Sequence, residues 1–316
     1  MRLDPQIAEI IEALDGGFPP VHTMSGPEAR AAIRARFVPP EHPEPVAEVA
    51  DRVIDGPGGE LTVRVYRPAV AAERPVPTLV WAHGGGWVFC DLDSHDNLCR
   101  DFANRIGAVV VSVHYRRAPD EGRWPAAAED VYAATVWAAT HIGELGNDPA
   151  NLLVGGDSAG GNLAAVTTLM ARDRGTPAIA AQLLVYPVIA ADFDTDSYRR
   201  FGRGYYNPRP ALQWYWDQYV PDPADRAHPY ASPLHADSHA GLPPAVLVLA
   251  GHDPLHDEGR DYAEALRRAG VPVTECFFEG GVHGFMTMPV LELCGRARAQ
   301  ACAALSALLG SGSAAP

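Results

Sequence analysis

The fold of this chain is constrained most by an alternation of two kinds of segment. Apolar runs of strand length, "TLVWAH", "GAVVVSVHY", "NLLVGG", "AQLLVYP", "AVLVLAG" and "VTECFFEG", alternate with helical stretches such as "PAAAEDVYAATVWAATHI" and "GRDYAEALRRAG". Strands that read as continuous apolar runs are buried on both faces, and helices between them supply the crossovers that parallel pairing needs. The expectation is an α/β fold with a mostly parallel central sheet and helices on both faces.

The flanks depart from this rhythm in three places. The first forty residues read as helical: Asp4 can cap a helix with Pro5 at its first position, and Ser25 with Glu28 forms an S-x-x-E capping box for a second. "VPPEHPEP" is a proline-rich extended linker, and "AEVADRVIDGPGGELTVRVYRP" reads as two antiparallel strands joined by a Gly/Pro turn. Residues 190 to 235 hold no buried-strand pattern. They carry Tyr205, Tyr206, Trp214, Tyr215, Trp216 and Tyr219 within fifteen residues, where the overall aromatic content of 8% would supply about one. We expect this insertion to fold over the sheet together with the N-terminal helices. The domain boundaries are then 1–45 for N-terminal cap helices, 46–189 for the first part of the core, 190–235 for the cap insertion and 236–316 for the second part. The terminal "GSGSAAP" is expected to fray.

Composition removes several classes of function. The formal charge of −14 opposes a phosphate-tracking surface, so no nucleic-acid partner is expected. No apolar run reaches spanning length, so no membrane span is expected. Five cysteines, Cys90, Cys99, Cys276, Cys294 and Cys302, are scattered without a C-x-x-C pair, which fits reduced thiols in a cytoplasmic protein. All 25 basic residues are arginine. The absence of lysine excludes a Schiff-base lysine, a P-loop lysine and a Ser-Lys nucleophile pair.

The chemistry concentrates at a few turns. In "NLLVGGDSAGGNLAAVTTLMA" a strand runs into Gly156-Asp157-Ser158-Ala159-Gly160 and a helix follows, the context that gives G-x-S-x-G its meaning. A turn this sharp crowds the positions two residues either side of the serine, which must lack side chains. The serine then faces amide N–H groups and the positive end of the helix dipole. In "VWAHGGGWVF" three glycines follow a strand, so Gly84, Gly85 and Gly86 with Ala159 are candidate oxyanion-hole donors, and His83 braces the loop. A serine nucleophile needs a base and an acid to orient it. Catalytic groups of open α/β sheets gather beyond the carboxyl ends of strands, which selects Asp253 after "AVLVLAG" and His283 after "VTECFFEG".

Taken together, "HGGGW", "YRRAPDEGRWPAAAEDV", "GDSAGGNLA", "YPV", "SPL", "GHDPLHDEG" and "VHGF" span residues 83 to 285 in one order. In these motifs the chain resembles the hormone-sensitive-lipase group of α/β-hydrolases, the bacterial family IV carboxylesterases. The resemblance implies Ser158 as nucleophile, His283 as base, Asp253 as its acid partner, the glycines after His83 as oxyanion hole, a helical cap, and a small-molecule ester of short to medium acyl chain as substrate. It differs at Trp87, where phenylalanine is commoner, and at Arg117 and Asp120, which vary the usual "YRLAPE".

Two other classes compete. A non-catalytic small-molecule receptor on the same fold would need no triad, whereas all three members are present here. A metallohydrolase could use His252 and His256, which flank Asp253 with helical spacing. Pro254 falls inside that motif and opposes a continuous helix through it, so neither a metal nor any other cofactor is expected. Trp87, Trp214, Tyr215 and Trp216 are candidates for the substrate pocket, with cap-to-core packing as the alternative. The strand at 273 to 278 is a candidate sheet edge through which two copies could pair as a homodimer.

Overall fold

The computed structural model describes residues 2–70, 76–145 and 147–312. Its strands are β1 (Glu48–Gly56), β2 (Gly59–Arg67), β3 (Val76–Ala82), β4 (Val109–Val113), β5 (Asn147–Asp157), β6 (Ala181–Val185), β7 (Ala245–His252) and β8 (Val273–Val282). The helices are α1 (Pro5–Gly17), α2 (Gly26–Arg34), α3 (Asp96–Ile106), α4 (Ala126–Thr140), the short α5 (Ile142–Leu145), α6 (Ala159–Arg174), α7 (Asp196–Phe201), α8 (Arg209–Tyr219), α9 (His256–Arg268) and α10 (Glu292–Gly312).

All eight strands form one sheet in the order β1-β2-β4-β3-β5-β6-β7-β8. β2 pairs antiparallel with both β1 and β4, and the pairs from β4 through β8 are parallel. The alternation of side chains along each strand divides the core in two. Val80, Ala82, Val109, Val111, Val113, Leu152, Val154 and Leu184 face α4, α6 and α9. Leu79, Trp81, Val110, Leu153, Leu183 and Val185 face α3 and α10. This period-2 division within runs that are apolar throughout is what two covered faces require. Trp81 shows how closely the second face is filled. Its ring meets Phe102 edge-on at 5.0 Å, and a Cβ at Gly155 would lie 2.9 Å from it.

The two caps expected near the N-terminus form. Asp4 Oδ1 accepts the Gln6 N–H at 3.0 Å, while Ser25 N–H donates to Glu28 Oε2 at 2.8 Å to complete the capping box. Side chains then moor both helices to the core. Arg30 donates to Val88 O and Arg34 pairs with Asp91 and Asp93, while Tyr206 N–H donates to Asp15 Oδ1 at 3.2 Å. α9 begins at His256, two residues after Pro254, which lies in the preceding turn and not in the helix. At the other end α10 continues through Gly312, so the first part of the "GSGSAAP" stretch is helical and residues 313–316 lie outside the described residues.

Candidate active site

Ser158 sits between the last residue of β5 and the first of α6, with φ +56° and ψ −117°. A non-glycine residue in that region costs about 1–3 kcal/mol and persists only where its surroundings hold it. Here they do: Ser158 N–H donates to Val185 O at 2.8 Å, and Ser158 O accepts Val188 N–H at 3.1 Å. The flanking glycines are required by contact. A Cβ at Gly156 would collide with the carbonyl of Gly160, and one at Gly160 with Ala82 O, so the turn closes only with hydrogen at both positions.

Asp253 and His283 arrive from the ends of β7 and β8. His283 Nε2 lies 2.9 Å from Ser158 Oγ, and His283 Nδ1 lies 2.8 Å from Asp253 Oδ2. All three residues are buried. The other oxygen, Asp253 Oδ1, accepts the Leu255 N–H at 2.9 Å, which fixes the carboxylate plane towards the imidazole. Tyr186 packs its ring against that of His283 at 4.9 Å and limits the imidazole's freedom from the other side.

The glycine loop is aimed at the serine by two devices. Tyr115 donates to His83 O at 2.8 Å and stacks on the His83 ring at 4.3 Å. Burial, with His95 nearby, holds the His83 imidazole well below its ordinary pKa, so it stays neutral as a brace. The second device is Asp157, the residue before the nucleophile. Its Oδ1 accepts the Gly84 N–H at 3.0 Å, and its carboxylate lies 3.1 Å from His95 Nε2. Gly84 is therefore corrected as an oxyanion donor, because its N–H is already bonded to Asp157. It is glycine for a different reason: a Cβ there would strike Asp157 Oδ2. Gly85 (φ +112°) and Gly86 (φ +58°) take left-handed conformations, and the loop's internal bonds, Val88 N–H and Phe89 N–H to Gly85 O, use neither of their N–H groups. Ala159 N–H opens α6, where no intrahelical carbonyl is available to it.

A cavity of about 110 Å³ adjoins Ser158 and His283, with Phe18, Phe89, Tyr186, Tyr206, Asn207 and Tyr215 among its walls. Of the four aromatic residues expected at the pocket, Tyr215 lines it and Trp87, Trp214 and Trp216 do not. Trp87 stacks on Tyr219 at 4.5 Å and meets Trp216 edge-on at 5.1 Å, forming a buried aromatic layer behind the loop. These three are corrected to packing residues, since none is among the cavity's walls; Trp214 meets the outer side of the pocket through Tyr215, edge-on at 5.7 Å. Phe18 and Tyr206 were missed; a lone phenylalanine near the N-terminus offers no periodicity that points to a site 140 residues on. Glu258 was missed too, although it lies inside the "GHDPLHDEG" motif. Its Oε1 accepts the Ile189 N–H at 2.7 Å and the Ala190 N–H at 3.3 Å, anchoring the segment that carries Tyr186 and Val188.

His252 and His256 go separate ways. His252 ends β7 with its ring stacked on Tyr205, and His256 Nδ1–H donates to Ala250 O at 3.1 Å. Among the described residues no group of three or more His, Cys, Asp or Glu side chains is arranged to hold a metal ion. No helix among them is long and apolar enough to cross a membrane.

Comparison with known proteins points the same way. A family model described as the alpha/beta hydrolase fold matches residues 79–287. The carboxylic ester hydrolase LipN of Mycobacterium tuberculosis is 43% identical over 266 residues, covering 82% of this chain and 70% of that protein. Esterase LipI of the same organism is 38% identical over 289 residues, 90% of this chain and 88% of its own. Among solved structures, a hyperthermophilic esterase from the archaeon Pyrobaculum calidifontis superposes with a TM-score of 0.89 at 38% identity, covering 98% of this chain and 99% of that one.

Proposed function

The chain belongs to the alpha/beta hydrolase fold family and is a serine ester hydrolase, and on that premise we propose that Ser158, His283 and Asp253 hydrolyse carboxylic esters through an acyl-enzyme. The observation that carries the assignment is the position of His283, bridging Ser158 Oγ at 2.9 Å and Asp253 Oδ2 at 2.8 Å. His283 Nε2 removes the serine proton as Oγ attacks the ester carbonyl, and Asp253 stabilises the imidazolium that forms while remaining ionised. The tetrahedral oxyanion is met by the N–H groups of Gly85, Gly86 and Ala159, each such donor contributing about 10²–10³ in rate. The imidazolium then protonates the departing alcohol. Water, deprotonated by His283, attacks the acyl-enzyme and releases the acid.

The helices of residues 1–45 and 190–235 act as the cap in this reading, because Phe18, Tyr206 and Tyr215 close the cavity over Ser158. A cavity of about 110 Å³ beside the serine favours short to medium acyl chains. The outer edge of β8 is the proposed contact of a homodimer, and the five scattered free thiols support a reducing, cytoplasmic compartment.

Ser158→Ala should keep the fold, judged by circular dichroism and melting temperature, and lower kcat on p-nitrophenyl butyrate by at least about 10³-fold. A folded variant with parental turnover would remove the serine from the mechanism.

A further inference from the structure

A second, larger cavity of about 700 Å³ lies outside the triad, between α1, α2 and the loop after the glycines. It shares Phe18, Phe89, Cys90 and Tyr206 with the cavity at Ser158, so the two meet through a common wall. The charge of its lining is opposite to that of the protein. The chain as a whole carries −14. The cavity is lined by Arg30, Arg34, Arg36 and Arg117, with Asp91 as its one acid. Three of the four guanidiniums are engaged: Arg30 with Asp120 and Glu121, Arg34 with Asp91 and Asp93, and Arg117 with Glu121. Arg36, in the turn after α2, forms no ion pair among the described residues, and it lines this cavity together with Tyr206. With the other three guanidiniums balanced by acids, Arg36 is the cation left to bind an anion there, and its planar fork fits a carboxylate.

We propose that this outer cavity is a subsite for a remote carboxylate of the substrate, with Arg36 as its binding group, so that the enzyme favours esters bearing an anionic end over neutral esters of equal length. The proposal rests on the ester-hydrolase reading and adds the substrate's charge to it. Neutral esters fill the cavity at Ser158 alone; a longer substrate passes Tyr206 and places its carboxylate against Arg36.

The test uses two homologous series of increasing chain length, followed by pH-stat titration: monoethyl esters of dicarboxylic acids, and acetate esters of hydroxy acids. Each is measured beside its neutral diester or acetate counterpart. The expected result is that beyond some length one series shows kcat/KM about fivefold above its neutral counterpart, the scale of a partly exposed ion pair. That ratio should shrink in high salt. Arg36→Ala should bring the ratio to about one, and Arg36→Lys should restore part of it. A ratio at or below one throughout both series overturns the proposal, as does an undiminished ratio in Arg36→Ala. Loss of turnover on the neutral esters by the parent protein would instead remove the ester-hydrolase reading, so the two failures are told apart.

Discussion

Glu258 lies five residues after Asp253, buried, with one carboxylate oxygen holding the Ile189 and Ala190 amides and the other, Oε2, without a hydrogen-bond partner among the described residues. Burial raises its pKa well above the ordinary carboxylic range, and the nearby Asp253 charge adds to the effect. The folded protein thus retains a proton that the unfolded chain releases once pH exceeds that range. The stability contributed by this group is complete below the ordinary pKa and falls as pH rises. Glu258→Gln keeps an acceptor for the two amides and has no proton to lose. Its melting temperature relative to the parent should therefore rise between about pH 5 and about pH 8. A pH-independent difference would show that Glu258 is ionised in the fold. His83 follows the opposite sign. It is buried neutral, so its contribution to stability is present at neutral pH and is lost as pH falls below the ordinary imidazole range.

At the scale of elements, α8 separates two roles that adjacent residues can play. Tyr215 faces the glycine loop, where a Cβ on Gly86 would lie 2.6 Å from its ring, and it lines the cavity at Ser158. Trp214, one position earlier, lies about 100° around the helix, outside the walls of that cavity, and meets the Tyr215 ring edge-on at 5.7 Å. Trp214→Ala should therefore cost about 3–5 kcal/mol in denaturant unfolding and leave the ratio of p-nitrophenyl butyrate to octanoate hydrolysis as it was. Tyr215→Ala should move that ratio. A Trp214 variant that changes chain-length preference without loss of stability would reverse the assignment. The same periodicity explains why the aromatic run was legible as a buried segment but not as a pocket. Six rings in fifteen residues signal burial, yet which ring faces the serine depends on the rotation of α8 against the loop.

For the whole molecule, the sheet ends in two edge strands, β1 and β8, and among the described residues β8 pairs only with β7, on its inner side. Phe277 on this strand is 46% exposed and presents a large apolar side chain beside an open edge. If two copies pair there, Phe277→Asp should convert dimer to monomer in sedimentation velocity without loss of turnover per chain. A parent protein that sediments as a monomer at micromolar concentration would end that reading. The arginine-rich chamber belongs to this scale as well, because its lining joins a basic N-terminal segment to a loop about eighty residues on. Arg30, Arg34 and Arg36 come from one end of the fold, and Arg117 from the loop after β4.

What the sequence determined by itself was whatever local physics forces. Continuous apolar strands with helices between them could only be a covered parallel sheet, and Gly156 and Gly160 around Ser158 could only serve a turn too tight for a Cβ. Topology then placed Asp253 and His283, since both end strands of one sheet, and the distances between the three side chains agree with that placement. The tertiary structure alone decided matters that depend on which surfaces meet. Gly84 lost its place among the donors because Asp157, 73 residues away, takes its N–H. Phe18 reaches the cavity at Ser158, and Arg36 the outer one, because the C-terminal ends of α1 and α2 pack against the loop after the glycines. Side chains distant in sequence share a cavity only through the packing of whole elements, and no local propensity encodes that angle.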